Sequence, residues 1–385
     1  MPSLVYLDAN ATTPIEPRVA EAMLAALVGL PGNPSSGHAA GRAARRAVDA
    51  ARRDVAALIG ASRPDEIVFT SGGSESNVTA LRAAMAALPG RRAVVTSTVE
   101  HASIHATLDH LAKTDGIAVR RVPVDGNGRL DLEAYQAALG PDTALVTLMT
   151  ANNETGTLFP ISDLVPAAHA AGALFHTDAV QAAGRVDIDV TGSGVDMVSL
   201  SAHKLHGPKG VGALYVRHGI PFSSLVTGGG QERGRRAGTE NVPGIVGFGV
   251  AAGLARREAD MIRLGCLRDR FEAAVVAALP DAVVLGDRRH RLANTACLAF
   301  PGVDAEMMLD RLDRAGIAAS AGSACASGGQ QPSRVFVAMG HGGLSRSIIR
   351  FSLSRLNSDA NIDRLLAVLP SIAREARASL AEAAA

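Results

Sequence analysis

The chain of 385 residues contains no tryptophan, only three tyrosines and nine phenylalanines, and only three cysteines. Cys266, Cys297 and Cys325 lie far apart, which excludes a disulfide framework and any paired metal-ligand spacing, and points to a reducing compartment. No sign of charge dominates: 38 Lys and Arg face 37 Asp and Glu. No global field therefore draws the chain to nucleic acid or to an anionic membrane. Long apolar runs are missing too, since no stretch reaches the ~18 residues of a membrane span. The opening "MPSLVYLDANATTP" has no basic segment followed by an apolar one, and the expectation is a soluble, cytoplasmic protein whose partner is a small molecule.

Glycine, by contrast, is abundant, with 40 residues, and the hydrophobic share is 47%. Glycine with alanine and valine suits an α/β enzyme whose backbone comes close to its ligands. The length is enough for two to three domains at about 150 residues each. Apolar, β-rich runs ("EIVFT", "RAVVTST", "AVRRVPV", "ALVTLMT", "ALFHTDA", "DMVSLS", "VGALYVR") alternate with alanine-rich segments of helical period. This alternation predicts a mostly parallel sheet covered by helices. "HAAGRAARRAVDAARRDVAALIG" reads as a surface helix, apolar on one face and arginine-rich on the other, with Gly60 as its stop. After about Gly253 a long charged helical stretch leads into shorter strands, "AVVLGD", "TACLAF" and "IIRFSLSR", and then a terminal amphipathic helix from "IDRLLAV" onward. That change of pattern predicts a second, smaller α+β domain.

Ligands of open α/β sheets bind beyond the carboxyl ends of the strands, so polar residues that end strands carry the most information. "FTSGGSESN" places Gly72, Gly73 and Ser74 between a strand and a helix, where free N–H groups can hold an anion; the same residues also read as a plain tight turn. His101 ends a strand in "VTSTVEHAS", and reads equally as a stacking or proton-shuttling group and as a partner for the backbone. Asn153 follows "MTAN", while Asp178 and Gln181 follow "FHT" three residues apart, where an aspartate is commonly a helix cap. Lys204, in "SAHKLHGPKG" at the end of another buried strand, is not accounted for by capping. A lysine is costly to bury unless paired, neutralised or used covalently. A lysine for a Schiff base, an aspartate for a pyridinium nitrogen, a helix N-terminus for a phosphate and a histidine for the ring together describe a site for pyridoxal phosphate.

At this point the sequence resembles a known family. "YLDANATTP", "GNPSSGHAAG", "TSGGSESN", "VEHASI", "ANNETGTLFPI", "FHTDAVQAAGRVDID", "SAHKLHGPKGVGALYVR", "GGGQERGRRAGTENV", "GSACASG" and "IIRFSLSR" resemble, in order and over almost the whole chain, the cysteine desulfurases of the class V aminotransferase superfamily, most closely the nitrogen-fixation type. The resemblance implies an α/β protein of the type I pyridoxal-phosphate-dependent transferase fold, a large mostly parallel sheet domain with a smaller α+β domain. Its divisions would be an N-terminal segment over 1–14 packing with the small domain, a cofactor-binding domain over 15–253, and a small domain over 254–385 carrying a cysteine loop.

It further implies that Lys204 binds pyridoxal phosphate covalently and moves the substrate's α-proton, and that Asp178 pairs with the ring nitrogen. Gln181 and Asn153 would approach the ring's phenolic oxygen or the substrate. Gly73, Ser74, Ser201 and His203 would hold the phosphate, with Thr239 reaching in from the other subunit of a homodimer. His101 would stack on the ring and assist proton transfer, and Arg350 would clamp the carboxylate of L-cysteine in a bidentate contact. Cys325, in the small, polar stretch "SAGSACASGGQQPS", corresponds to the family's nucleophile, whereas Cys297 and Cys266 read as packing residues.

The implied reaction turns L-cysteine into L-alanine and leaves a persulfide on Cys325. That sulfur would pass to an iron–sulfur scaffold protein, for nitrogenase maturation. No intrinsic metal site is implied, and Cys325 would at most touch an iron–sulfur cluster transiently. A selenocysteine lyase or an aminotransferase of the same fold are the alternatives, and an aminotransferase has no need of a loop cysteine; a non-catalytic cofactor-binding protein would have no use for Lys204, His101, Arg350 and Cys325 together. Two departures from the family pattern stand near the cysteine: "AMGHGGLSRSIIR" is about one residue short, and "GGQQPS" lacks the usual acidic residue before its proline.

Overall fold

All seven β-rich runs of the first two-thirds of the chain form strands of one sheet. The computed structural model describes residues 4–258, 260–321 and 332–384. After a two-residue strand β1 (Val5–Tyr6) come β2 (Ile67–Thr70), β3 (Ala93–Ser97), β4 (Ala118–Val122), β5 (Thr143–Met149), β6 (Leu174–Asp178), β7 (Met197–Ser201) and β8 (Gly212–Val216). Their order in the sheet is β2-β8-β7-β6-β5-β3-β4. Neighbours from β7 to β4 are parallel, and β8 alone runs against both β7 and β2. Only residues 202–211 separate β7 from β8, too few for the helical crossover that a parallel return needs. Strands β5 and β7 are buried along their whole length, on both faces of the sheet, as parallel strands covered by helices are.

Helices α1 (Pro17–Gly29), α2 (Ala39–Leu58), α3 (Gly73–Ala87) and α4 (Ala102–Asp115) account for the first alanine-rich segments. On α2, Ala44, Val48, Ala51 and Val55 recur at helical spacing and are buried, while most of its arginines face outward. The expected stop holds: Gly60 follows the helix with φ +67°. The helix Val242–Glu258 packs closely on α2, so closely that a Cβ on Gly249 would sit 2.5 Å from the Ala51 backbone.

The remaining strands are β9 (Val283–Leu285), β10 (Thr295–Ala299), β11 (Ile317–Ala318), β12 (Ser320–Ala321) and β13 (Ile348–Ser352). They form an antiparallel sheet of order β12-β13-β10-β9, and β1 pairs in parallel with β11. Val5 and Leu7 share one apolar core with Phe271, Leu298, Phe351 and Leu365, so the N-terminal strand is packed among residues from the far end of the chain. The two-residue strands β1, β11 and β12 carry no readable period, which is why sequence patterning misses them. The terminal helix spans Asp359–Ala384, beginning three residues before the expected Ile362. No helix among the described residues is long and apolar enough to cross a membrane.

One expectation for the cysteines is corrected. Cys297 on β10 is fully buried, and burial, with Glu154 second, pushes its thiol well above the ordinary range. Cys266 is exposed on the helix Met261–Ala278 and is therefore a surface thiol instead of a packing residue. Cys325 falls outside the described residues.

The segment that follows β8 is fastened by one buried ion pair. Glu232 and Arg233 both have left-handed backbones, φ +47° and +58°. Arg52 on α2 donates from both terminal nitrogens to Glu232, each at 2.6 Å, and Phe69 N donates to the same carboxylate at 2.9 Å. The guanidinium also lies 4.8 Å over the Phe69 ring. Removing one charge of such a pair leaves the other buried and unpaired, at a cost of about 3–5 kcal/mol. Glu232→Gln is expected to lower the thermal unfolding midpoint accordingly. A midpoint within about one degree of wild type would show that the pair does not anchor this segment.

Candidate active site

At the carboxyl edge of β5, β6 and β7, the sheet and the start of α3 enclose a cavity of about 290 Å³. Gly73, Ser74, His101, Asn153, Asp178, Gln181, Ser201, His203, Lys204 and Arg350 all line it. Residues spread over nearly 280 positions of sequence thus meet in one space because parallel strands deliver their ends to one side. Thr239 is exposed and does not line the cavity of its own chain.

Lys204 ends a single 3-10 turn, Ala202–Lys204, which follows β7 directly. Its Nζ donates to the main-chain oxygens of Asn10 at 2.5 Å and Ala11 at 2.7 Å. Asp178 ends β6, the strand paired directly with β7, and is 7% exposed. Its Oδ2 accepts from Asn77 Nδ2 at 2.7 Å and its Oδ1 from Val180 N at 3.0 Å. Asn77 stands four residues after Gly73 on α3, one turn along the same face, and Ser103 Oγ accepts from its Nδ2 at 3.0 Å. Asp178 is thereby fixed by two donors and does not merely cap a helix.

Helix α3 starts after Gly72 with no side-chain cap on its N–H groups, so the donors of Gly73 and Ser74 open on the cavity. Gly73 must be small: a Cβ there would come within 2.7 Å of Val180 Cγ2. His101 is the N-cap of α4, and its Nδ1 accepts from Ser103 N at 3.2 Å. A backbone N–H can only donate, so the neutral ring carries its proton on Nε2. Burial, helped by the charges of Lys204, Lys209 and Arg185, pulls His203 down to about 4, which makes it a neutral hydrogen-bonding group near neutral pH.

Arg350, at the centre of β13, is 1% exposed. It donates to Asp8 Oδ1 at 2.8 Å and to the Asn153 carbonyl at 3.0 Å, while its Nε is buried with no hydrogen-bond partner among the described residues. A buried donor without an acceptor is costly, and a bound carboxylate would satisfy it. An unpartnered guanidinium N–H, an open helix N-terminus, a braced carboxylate and a lysine amine around one cavity fit pyridoxal phosphate and an amino acid. Lys204, Asp178, Gly73 and Ser74 would hold the cofactor, and Arg350 the amino acid.

Four further residues were not legible as parts of the site. Asn10 and Asn77 sit inside motifs but look like ordinary turn and helix polars. Glu100 precedes His101 and is buried: its Oε1 accepts from Ser97 Oγ at 2.6 Å and Met149 N at 3.1 Å, and its Oε2 has no partner among the described residues. Burial outweighs those two bonds and pushes its carboxyl up to about 8. Glu154, next to Asn153, accepts from Ser333 Oγ at 2.7 Å and is pushed up to about 7 by burial, with Ser333 and Arg350 pulling the other way.

Comparison with known proteins places the chain in a family. Residues 5–365 match the aminotransferase class-V family. The chain is 57% identical to a cysteine desulfurase of Cereibacter sphaeroides over 97% of both chains. It is 48% identical to the cysteine desulfurase NifS of Azotobacter vinelandii, covering 97% of this chain and 93% of that one. A solved NifS-like protein superposes with a TM-score of 0.90 at 34% identity, over 97% of this chain and 100% of that one. The chain belongs to the aminotransferase class-V family, in its cysteine desulfurase branch.

The Glu100 carboxyl gives a pH prediction with a definite sign. In the unfolded chain it ionises near the ordinary value of 4.5, and in the fold near 8. Between those values the folded state holds a proton that the unfolded state has released, so stability falls as pH rises. Glu100→Gln abolishes that loss. Relative to wild type, the variant should gain thermal stability from pH 5 to pH 8, by up to a few kcal/mol. A difference that does not change with pH would show that Glu100 is ionised in the fold.

Proposed function

We propose that this chain is a pyridoxal-phosphate-dependent cysteine desulfurase, which converts L-cysteine to L-alanine and passes the sulfur through a persulfide on Cys325 to an iron–sulfur scaffold protein, nitrogenase maturation being one such use. The observation that carries this reading is the shared cavity of Lys204, Asp178 and Arg350 beside an open helix N-terminus. The cysteine desulfurases to which the chain is similar supply the substrate.

When bound, the cofactor supplies an electron sink that stabilises negative charge at the carbon next to the nitrogen of the amino acid. The protein does the rest. Lys204 attaches the cofactor and then, released, carries the proton away from the substrate's Cα. Its grip on the Asn10 and Ala11 oxygens holds the amine in place. Asp178, oriented by Asn77 and Val180 N, keeps a proton on the ring nitrogen through charge and hydrogen bonding. Arg350 receives the substrate carboxylate, sharing or exchanging its present contact with Asp8. Gly73 and Ser74, with Ser201 and His203, hold the phosphate, and Gln181 and Asn153 face the ring's oxygen or the substrate. Thr239, exposed in its own chain, would complete the phosphate site of a partner subunit in a homodimer. His101, with Nε2 protonated, stacks on the ring and relays protons.

Sulfur leaves when the Cys325 thiolate attacks the substrate sulfur. The S–S bond forms as the C–S bond breaks, the electron pair stays with the carbon, and protonation there yields alanine. A thiolate is far better suited to this attack than a hydroxyl. Brief exposure of the wild type to L-cysteine without reductant is expected to add one sulfur atom to the Cys325 peptide. Cys325→Ser should still change the cofactor's spectrum on adding L-cysteine, yet lose sulfur transfer by at least about 100-fold. Sulfur found on the exposed Cys266 instead, or undiminished release of alanine and sulfide by the serine variant, would favour a lyase that needs no thiol.

A further inference from the structure

We propose that Arg185 is a positioning residue of this site: from behind the cavity it fixes the orientation of the Gln181 amide and ties Lys204 to the N-terminal segment, while contributing a positive charge that no carboxylate cancels. This rests on the reading of Gln181 and Lys204 given above and deepens it.

The contacts leave little freedom. Arg185 donates from Nη1 to Gln181 Oε1 at 2.5 Å, to the Gln181 carbonyl at 3.2 Å and to Asn10 Oδ1 at 3.0 Å. From Nη2 it donates to the carbonyls of Ala9 at 3.3 Å and Lys204 at 3.5 Å. A guanidinium has donors only, so the Gln181 atom that faces it must be the oxygen. The amide nitrogen is thereby turned the other way: one of its protons goes to the Asn10 carbonyl at 2.9 Å. The second makes no bond among the described residues, and Gln181 lines the cavity. Gln181 thus offers a donor, never an acceptor, to an oxygen bound there. The same argument orients Asn10, whose Oδ1 faces Arg185 and whose Nδ2 donates to the Asn153 carbonyl and to Thr295 Oγ1.

The charge is the second part. All five acceptors of Arg185 are neutral oxygens, and no carboxylate among the described residues pairs with it. Burial, followed by the nearby Arg350 guanidinium, pulls it down to about 10, which still leaves it cationic at neutral pH. The charged and titratable groups around it are His203, Lys204 and Lys209 after β7, His206 with Arg355 and Glu16, Arg350 with Asp8 on and beside β13, and Asp178 at the end of β6. An unpaired cation and a donated N–H both stabilise an oxyanion in the cavity and so lower its affinity for a proton.

The test follows the visible absorbance of the cofactor in the holoenzyme as pH is varied. Arg185→Met removes donors and charge, and its midpoint is expected about one pH unit above that of wild type. Arg185→Lys keeps the charge and should stay within about 0.3 unit. Gln181→Met should move the midpoint the same way, and the double variant should move it by less than the sum, because Arg185 acts in part through Gln181. Arg185→Gln, neutral but polar, replaces the methionine variant if that one does not fold, with an upward shift again expected. A wild type with no cofactor band overturns the site reading and this proposal together. A normal wild-type band with an unshifted midpoint in the folded neutral variant, or fully additive shifts in the double variant, overturns the role of Arg185 alone.

Discussion

The site depends on a single buried asparagine. Every hydrogen-bonding group of the Asn10 side chain is engaged. Its Nδ2 donates to the Asn153 carbonyl and Thr295 Oγ1, and its Oδ1 accepts from Arg185 and Asn294. Its backbone N–H donates to Ser352 Oγ, and its carbonyl accepts from both Lys204 Nζ and Gln181 Nε2. A fully satisfied buried network of this kind rigidifies what it joins, because any alternative arrangement leaves polar groups unpaired in a poorly solvated place. Here it joins the ends of β5 and β7 to β10 and β13. The first residues of the chain therefore act as a pin through the whole molecule, and strand β1 with Leu7 holds that pin by packing into the C-terminal core.

With the pin in place, the charges of the site sort themselves. Asp178 is held by neutral donors, Arg185 by neutral acceptors, and Arg350 keeps one buried N–H unpartnered while pairing with Asp8. None of the three is locked into a mutual ion pair, so each keeps charge to offer to a ligand. The result is a cavity with cationic groups in and behind its wall that would suit anionic groups of a ligand, and one braced carboxylate that would suit a cationic ring nitrogen.

Much of this was legible in the sequence, and the reasons are physical. Strands β2 to β8 are buried or half-buried apolar runs bounded by turn residues, so they announce themselves, and the polar residue that ends each one is then a site candidate. That logic finds Asp178 and Lys204. It does not find Asn77, Asn10 or Arg185, whose importance comes from what they touch across more than a hundred residues of chain, nor Glu100, which is buried between Ser97 and Met149. Arg185 follows a helical turn and reads as one more surface arginine; only the fold brings the Gln181, Asn10 and Lys204 oxygens around it. Burial was misread where period is weakest: Cys266, in a helix with little amphipathic contrast, was assigned to packing and lies on the surface. The reversed strand β8 was hidden for another reason, since direction depends on the length of the connection and not on the residues of the strand.

The central claim is that Lys204 is the cofactor's point of attachment, and the composition makes it unusually easy to test. The chain has three lysines, Lys113, Lys204 and Lys209. Lys113 lies in the last turn of α4 and Lys209 is exposed, while Lys204 alone lines the cavity. Borohydride reduction of the purified yellow protein, followed by peptide mapping, should place the mass of the reduced cofactor on the peptide containing Lys204 and leave Lys113 and Lys209 unmodified. Finding it on Lys209 or Lys113, with Lys204 unmodified, would contradict the account.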